Sequence, residues 1–343
     1  MESPNVIVIP PHYRGTSFDE MTRALSISAR GSGLPIDLIG QTEPLTNDLT
    51  GELLDDERYI QGQIAVIAEI TRRKNAAKIL FLDFFNPGLD ILRYAHLQRN
   101  TESKYGSILS GGSFLKDDLY SFDWLRSYEL AWAHTYDSIY TPSPHIASHL
   151  PEPLKAKTKF LPHGMDAFTP VVSDEKKYDV VFPHRLNSDK GVDDLIKIAK
   201  GLNDASIAVP VPHGSELNDK NRYHDSLSEL GNVTLLNAQN DSEHAKTLGS
   251  SKVVLSCAKQ ELFGYSVMKS VLSGCAPVLP NNQCYPHFFP KDFLYDSNAE
   301  AIDMIKRNLD ETGLEKSPAL EEIRERIRNF TFKDILKDFF SGD

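Results

Sequence analysis

The pattern that most narrows the fold of this chain is a strand–helix rhythm that runs to about residue 166, breaks, and restarts at 178. Asn5-Val-Ile-Val-Ile9 is an apolar run closed by Pro10-Pro11, as expected of a buried strand. A helix follows from about Phe18 to Arg30, then a strand over Leu34–Ile39, a helix over Asp55–Lys74 and a strand over Lys78–Leu82. Tyr105–Leu109 and Ser138–Thr141 read as further strands, with a helix over Phe122–His134 between them. Parallel strands need a long crossover, and the crossover helices cover both faces of the sheet. Short apolar runs alternating with helices therefore predict a parallel, doubly wound α/β sheet.

The polar segment Ser173–Lys177 reads as a linker, and the rhythm then resumes. Strands are expected at Tyr178–Phe182, Ser206–Val211, Asn232–Leu236, Val253–Ser256 and Ala276–Leu279, and helices at Val192–Leu202, Asp219–Leu230 and Ser266–Ser273. The tail from Ala299 to Phe340 reads as helical. A chain of 343 residues exceeds one ordinary core. The expected division is 1–170, 171–320 and a terminal helix over 321–343 that packs back on the first domain. Two such units facing one another would place a ligand cleft between them.

Composition narrows the function. Apolar content of 40% and charged content of 25% fit a globular protein. A net charge of −11 argues against broad nucleic-acid binding. Arg72-Arg73-Lys74 and the trio Lys155, Lys157 and Lys159 read as solvated faces. The three cysteines, Cys257, Cys275 and Cys284, make no C-x-x-C pair and read as reduced. No run reaches the ~18 apolar residues of a membrane span, and the N-terminus enters a strand directly, so a cytoplasmic protein is expected.

Two loops carry the chemistry. His184-Arg185-Leu-Asn-Ser-Asp-Lys190-Gly191 and Cys257-Ala-Lys-Gln-Glu261-Leu-Phe263-Gly264-Tyr265-Ser266 each leave a strand and open a helix. Such junctions aim backbone N–H groups and the positive end of a helix at an anion. Arg185 and Lys190 can clamp phosphates, or they are ordinary surface charges. Glu261 can accept hydrogen bonds from sugar hydroxyls, and Gly264 lets the backbone approach a ligand closely. Tyr13-Arg14-Gly15 is a second glycine loop after a strand, and Asp117 and Asp118 follow Ser110-Gly111-Gly112-Ser113-Phe114. No histidine shows metal-ligand spacing, no Asp-x-Asp occurs, and no metal or bound cofactor is expected.

Arg185-x4-Lys190-Gly191, Glu261-x-Phe263-Gly264 and Ser273-Gly274-Cys275-Ala276-Pro277-Val278 together resemble retaining glycosyltransferases of the two-Rossmann (GT-B) fold, family four. Gly164 and Asp166 resemble that family's Asn-Gly-x-Asp turn, with His163 in place of Asn. Residues 178–297, through Tyr285-Pro286 and Leu294-Tyr295, are most similar to the tRNA-queuosine mannosyltransferase group. The resemblance implies an acceptor-side domain at 1–170 and a donor domain at 171–320. It implies a UDP- or GDP-linked sugar as donor, its diphosphate held by Arg185 and Lys190, its hexose met by Glu261, and further contacts from Gly15, His184, Phe263, Gly264, Tyr265 and Ser266. Lys269 stands where the family has a second Glu for the ribose, which implies that ribose recognition differs, that Lys269 contacts phosphate, or that donor binding has been lost. Ser110-Gly111-Gly112 likewise stands where the queuosine group has His-Glu-Asn-Gln. The acceptor implied is a modified nucleoside in DNA or RNA. A saccharide, a lipid or a small metabolite is the alternative, as is a non-catalytic protein that binds nucleotide sugars or glycans.

Overall fold

The computed structural model describes residues 5–10, 12, 17–40, 56–72, 77–83, 94, 98, 103–109, 123–211, 220–237, 241–310 and 317–342. They form two compact units, one of 1–167 with 330–343 and one of 168–329.

The first unit is built on six parallel strands: β1 (Asn5–Ile9), β2 (Ile36–Gly40), β3 (Lys78–Leu82), β4 (Lys104–Ile108), β5 (Ser138–Thr141) and β6 (Thr158–Phe160). Their order across the sheet is β2-β1-β3-β4-β5-β6. Val6 to Ile9 and Ile79 to Leu82 are buried on both faces, which is why these strands are apolar runs rather than alternating ones. The chain returns to this unit at its end. Helix Lys333–Ser341 buries Ile335, Leu336, Phe339 and Phe340. Gly106 leaves room for the Phe339 ring, which lies 2.6 Å from where a Cβ would sit. The Asp166 carboxylate accepts from Ser28 Oγ at 2.9 Å and Thr331 Oγ1 at 3.2 Å, tying three distant segments together.

The second unit has strands β7 (Tyr178–Val181), β8 (Ile207–Val211), β9 (Val233–Asn237), β10 (Ser251–Leu255), β11 (Ala276–Pro280) and β12 (Leu294–Tyr295). All are parallel, in the order β12-β11-β10-β7-β8-β9. Helices Val192–Gly201 and Asn298–Asp310 bury Leu195, Ile198, Ala301, Met304 and Ile305 against Val180, Val209, Val253 and Leu255. The chain steps from β7 to β9 in one direction, then returns to place β10 on the other side of β7 and continues to β12. The β7/β10 pair is thus the point where the winding reverses. In an open α/β sheet, that is where the strand ends leave a crevice for a ligand.

Several details differ from the sequence expectation. The units divide at Ala167 and Phe168 and again at Asn329 and Phe330, rather than at 170 and 320. Helix Pro318–Arg328 stays with the second unit because Leu320, Ile323 and Ile327 are buried there and Arg324 Nε donates to Val271 O at 3.1 Å. The helical tail is three helices, Asn298–Asp310, Pro318–Arg328 and Lys333–Ser341. The edge strands β6 and β12 are too short for a periodic signal. Helix Asp241–Gly249 carries a weak apolar stripe and was not anticipated. Among the described residues, no helix is long and apolar enough to cross a membrane.

Candidate functional site

β7 and β10 are neighbours in register, Val181 beside Val254, so their carboxyl-terminal loops emerge side by side. The β7 loop runs through His184 and Arg185 to a short 3-10 turn, Ser188–Lys190, and then Gly191. The β10 loop runs from Ser256 to Gly264, which caps helix Tyr265–Leu272. Backbone bonds join the loops: Lys259 and Gln260 N–H donate to Asp189 O at 2.8 and 3.2 Å.

The side chains close the same seam. Lys190 Nζ donates to Gln260 O at 2.7 Å and lies 3.3 Å from Glu261 Oε2 and 3.6 Å from Asp189 Oδ2. Arg185 is half exposed, with Nη2 at 3.8 Å from Asp189 Oδ2, so most of its donor capacity faces outward. Burial pushes the Glu261 carboxyl up, but Lys190, with His184 and Arg185, outweighs it and holds the group below the usual carboxylate range. Glu261 is therefore an anion in a shielded place. It can accept hydrogen bonds from neutral hydroxyl groups there.

His184 is buried with Nε2 at 2.9 Å from Ser256 Oγ and Nδ1 at 3.9 Å from Glu261 Oε2. Burial lowers its pKa to about 4, so it is neutral near pH 7. Ser256 Oγ also lies 2.8 Å from the buried Tyr285 hydroxyl.

The two helix starts differ. Helix Val192–Gly201 carries Asp193 and Asp194 in its first turn, which offset its positive end. Helix Tyr265–Leu272 has no acidic residue in its first turn and no side-chain cap, so no carboxylate in that turn offsets its positive end. Of the two junctions the sequence marked as phosphate loops, the Glu261 one keeps that capacity in its helix. The other contributes Arg185 and Lys190 instead.

The structure thus gathers Arg185, Lys190, Glu261, His184 and Gly264 at the β7/β10 ends. Phe263 is buried, edge-on to Tyr265 at 4.8 Å and Phe288 at 5.4 Å, and its ring serves packing. Ser266 lies in the first helical turn, and its carbonyl accepts from Ser270 Oγ at 2.8 Å. Lys269 is in the last turn of that helix, with Nζ 5.5 Å from the centre of the Phe168 ring. Gly164 and Asp166 hold the terminal segment of the first unit, since a Cβ on Gly164 would meet Phe332 at 2.8 Å. The loops Tyr13–Gly15 and Ser110–Phe114, with Asp117 and Asp118, lie outside the described residues. Among the described residues, no group of His, Cys, Asp or Glu is placed to hold a metal ion. Sequence reasoning assigned no role to Ser256 or Tyr285. Tyr285 stood in a quoted stretch, but its 29-residue separation from Ser256 hides the contact.

Comparison with known proteins adds to this geometry. Residues 166–330 match the family described as glycosyl transferases group 1. That stretch is just under half of the chain and takes in the whole of the second unit. Over 131 residues it is 30% identical to the tRNA-queuosine alpha-mannosyltransferase of Drosophila melanogaster, a match covering 36% of this chain and 34% of that protein. The chain thus matches about a third of the length of that relative. In structure it resembles a sucrose-phosphate synthase from Thermosynechococcus elongatus, with a TM-score of 0.73 and 14% identity over 100% of both chains. It also resembles S. aureus TarM solved with fondaparinux, alpha-GlcNAc-glycerol and UDP, with a TM-score of 0.58 and 14% identity, covering 81% of this chain and 58% of that one. At these identities the structural likeness establishes the fold, two parallel-sheet Rossmann-like units as in GT-B glycosyltransferases.

Proposed function

We propose that this protein is a retaining glycosyltransferase that moves a hexose from a UDP- or GDP-linked sugar to an acceptor hydroxyl. The observation that carries this reading is the Glu261 carboxylate, held 3.3 Å from Lys190 beside an uncapped helix start at the point where the winding of the sheet reverses. A sugar needs a hydrogen-bond acceptor for its hydroxyls, and a diphosphate needs cations and N–H groups. Both are within one pair of loops.

When the sugar–phosphate bond breaks, negative charge grows on the departing diphosphate. Arg185, Lys190 and the positive end of helix Tyr265–Leu272 are fixed before that charge appears. Such preorganised groups are usually the largest catalytic contribution. Glu261 accepts from hexose hydroxyls and orients the anomeric carbon toward the acceptor. Retention fits attack from the same face as the leaving group, with the leaving phosphate taking the acceptor proton, a route that asks for no protein nucleophile.

The relative that modifies queuosine in tRNA supports a modified nucleoside in nucleic acid as acceptor, and TarM, solved with UDP, supports a nucleotide donor. The net charge of −11 favours a second reading for the acceptor, a saccharide or small metabolite. The test is incubation with radiolabelled UDP-glucose, UDP-GlcNAc and GDP-mannose, with nucleic acid and saccharide acceptors in parallel. Transfer or slow donor hydrolysis is expected, falling about 10²- to 10³-fold in Arg185→Ala and Glu261→Gln. Saturable donor binding with no turnover on any acceptor would instead mark a binding protein.

A further inference from the structure

The hydrogen-bond geometry points to Tyr285 as a positioning residue for Glu261, acting through Ser256 and His184. This inference rests on Glu261 being the sugar-facing carboxylate proposed above.

The chain of contacts is Tyr285 Oη to Ser256 Oγ at 2.8 Å, Ser256 Oγ to His184 Nε2 at 2.9 Å, and His184 Nδ1 to Glu261 Oε2 at 3.9 Å. Tyr285 and Ser256 are fully buried and His184 nearly so, so water does not complete their valences. Counting donors and acceptors then fixes the direction. Ser256 Oγ has one proton and two lone pairs. It already accepts from Ala258 N–H at 3.3 Å.

Suppose His184 carried its proton on Nε2. It would donate to Ser256, filling the second lone pair, and Ser256 would donate to Tyr285. The Tyr285 proton would then have no acceptor among the described residues, and the bare Nδ1 lone pair would face the Glu261 carboxylate. The opposite arrangement gives the Tyr285 and Ser256 protons acceptors and turns Nδ1–H toward the Glu261 carboxylate, 3.9 Å away. Tyr285 donates to Ser256, Ser256 donates to His184 Nε2, and His184 Nδ1–H points at Glu261. Three dipoles are aligned toward one anion, and aligned hydrogen bonds polarise one another.

The network also explains why a histidine sits here uncharged. Burial keeps it neutral near pH 7, so there it presents an N–H dipole to Glu261, and it joins Lys190 and Arg185 as a third cation only as the pH falls toward about 4. The other groups coupled electrostatically to Glu261 are Cys284, from the segment after β11, and Tyr285 itself, while Asp189 pairs with Lys190. Burial holds the Cys284 thiol well above its ordinary range, so it stays protonated. Neither it nor Tyr285 competes for the role of anion.

The test compares Tyr285→Phe, Ser256→Ala and Tyr295→Phe in the full-length protein. Tyr295 is the control because its buried hydroxyl donates to Ser256 O, a backbone atom outside the chain of dipoles, at 2.8 Å. The Glu261 carboxyl is followed by 13C NMR in glutamate-labelled protein, its signal assigned by its loss in Glu261→Gln. Tyr285→Phe and Ser256→Ala are expected to raise its pKa by roughly half a unit to one unit. The acid limb of kcat/KM for donor turnover should move by the same amount. Tyr295→Phe should lower the melting temperature and move neither. An unshifted Glu261 signal in both Tyr285→Phe and Ser256→Ala overturns the proposal, as does an equal shift in Tyr295→Phe. Because the NMR readout needs no substrate, a wild-type protein that turns over no donor would defeat the glycosyltransferase reading while leaving this one to be judged separately.

Discussion

A Cβ built on Gly191 would lie 1.9 Å from the carbonyl oxygen of Cys257, so the two loops of the site touch backbone to backbone at that point. Gly191 also has a φ of +71°, where a side chain is strained regardless of space. Gly191→Ala must therefore either part the loops or distort the turn. The left-handed conformation alone costs ~1–2 kcal/mol, and the contact with an immovable carbonyl adds to it. Gly264→Ala is the informative partner: φ is +83° there, but the nearest atom is Tyr285 Cε1 at 3.3 Å. Urea unfolding should show Gly191→Ala losing clearly more stability than Gly264→Ala. Equal losses would mean the loop contact contributes nothing.

Lys190 and Glu261 retain only 14% and 16% of their side-chain exposure, so each depends on the other for charge balance. Lys190→Met leaves a shielded carboxylate without its main partner. Breaking a fully buried pair costs ~3–5 kcal/mol, and the residual exposure here places the expected loss near ~2–3 kcal/mol. Glu261→Gln on the Lys190→Met background should restore part of it, because the orphaned charge is then gone. A four-variant cycle by chemical denaturation measures this directly. Strict additivity would show that the pair is not coupled.

Much of this was legible in the sequence, for reasons that differ by residue. The strands expected at Tyr178–Phe182 and Val253–Ser256 announced themselves through the runs Val180–Phe182 and Val253–Leu255, which are apolar because they are buried on both faces. Arg185, Lys190 and Glu261 could be picked out because charges in loops between apolar runs are few. What could not be read was how the two loops meet. That depends on β10 returning to pair with β7, which no local pattern encodes. The same limit hid Ser256 and Tyr285, whose roles exist only once residues far apart in the chain are brought together. Asp193 and Asp194 were visible in the sequence. Their effect on the helix start became clear only when the turn at Gly191 placed them in the first helical turn.

Three histidines should make the protein acid-sensitive. Burial lowers His184 and His244 to about 4 and His163 to about 3, against 6.5 when unfolded. The unfolded chain thus binds protons below pH 6.5 that the folded chain refuses, and unfolding free energy falls as pH drops from 6.5 toward 4. Each histidine can contribute up to about 3 kcal/mol over that window, at 1.36 kcal/mol per unit. Glu261 acts in the same direction at the lower end, since its depressed pKa gives stability that is lost on protonation. Melting temperatures measured from pH 8 to pH 4.5 should fall steeply below 6.5, and His244→Gln should flatten the slope. A pH-independent melting temperature would contradict the burial of the His163 and His184 rings.

The terminal segment should be indispensable to the first unit and irrelevant to the second. Phe332, Ile335, Leu336, Phe339 and Phe340 are all buried within the first unit. Asp338 Oδ2 takes both Tyr140 Oη and Lys159 Nζ at 2.6 Å, and Phe330 O accepts from Met165 N at 2.8 Å. Removing residues 330–343 would expose the seat of Phe339 beside Gly106 and leave Asp166 without Thr331. Losing one such aromatic costs ~3–5 kcal/mol, so losing five apolar side chains exceeds the stability of an ordinary domain. The second unit is continuous from 168 to 329 and keeps all its strands. Hydrogen exchange on the truncated chain should therefore show protection lost in β1, β3, β4 and β5 and retained in β7, β8, β10 and β11. The single substitution Phe339→Ala should reproduce the effect in milder form, lowering the stability of the first unit alone by ~3 kcal/mol or more. If protection fell equally in both units, the second would depend on the first for its fold.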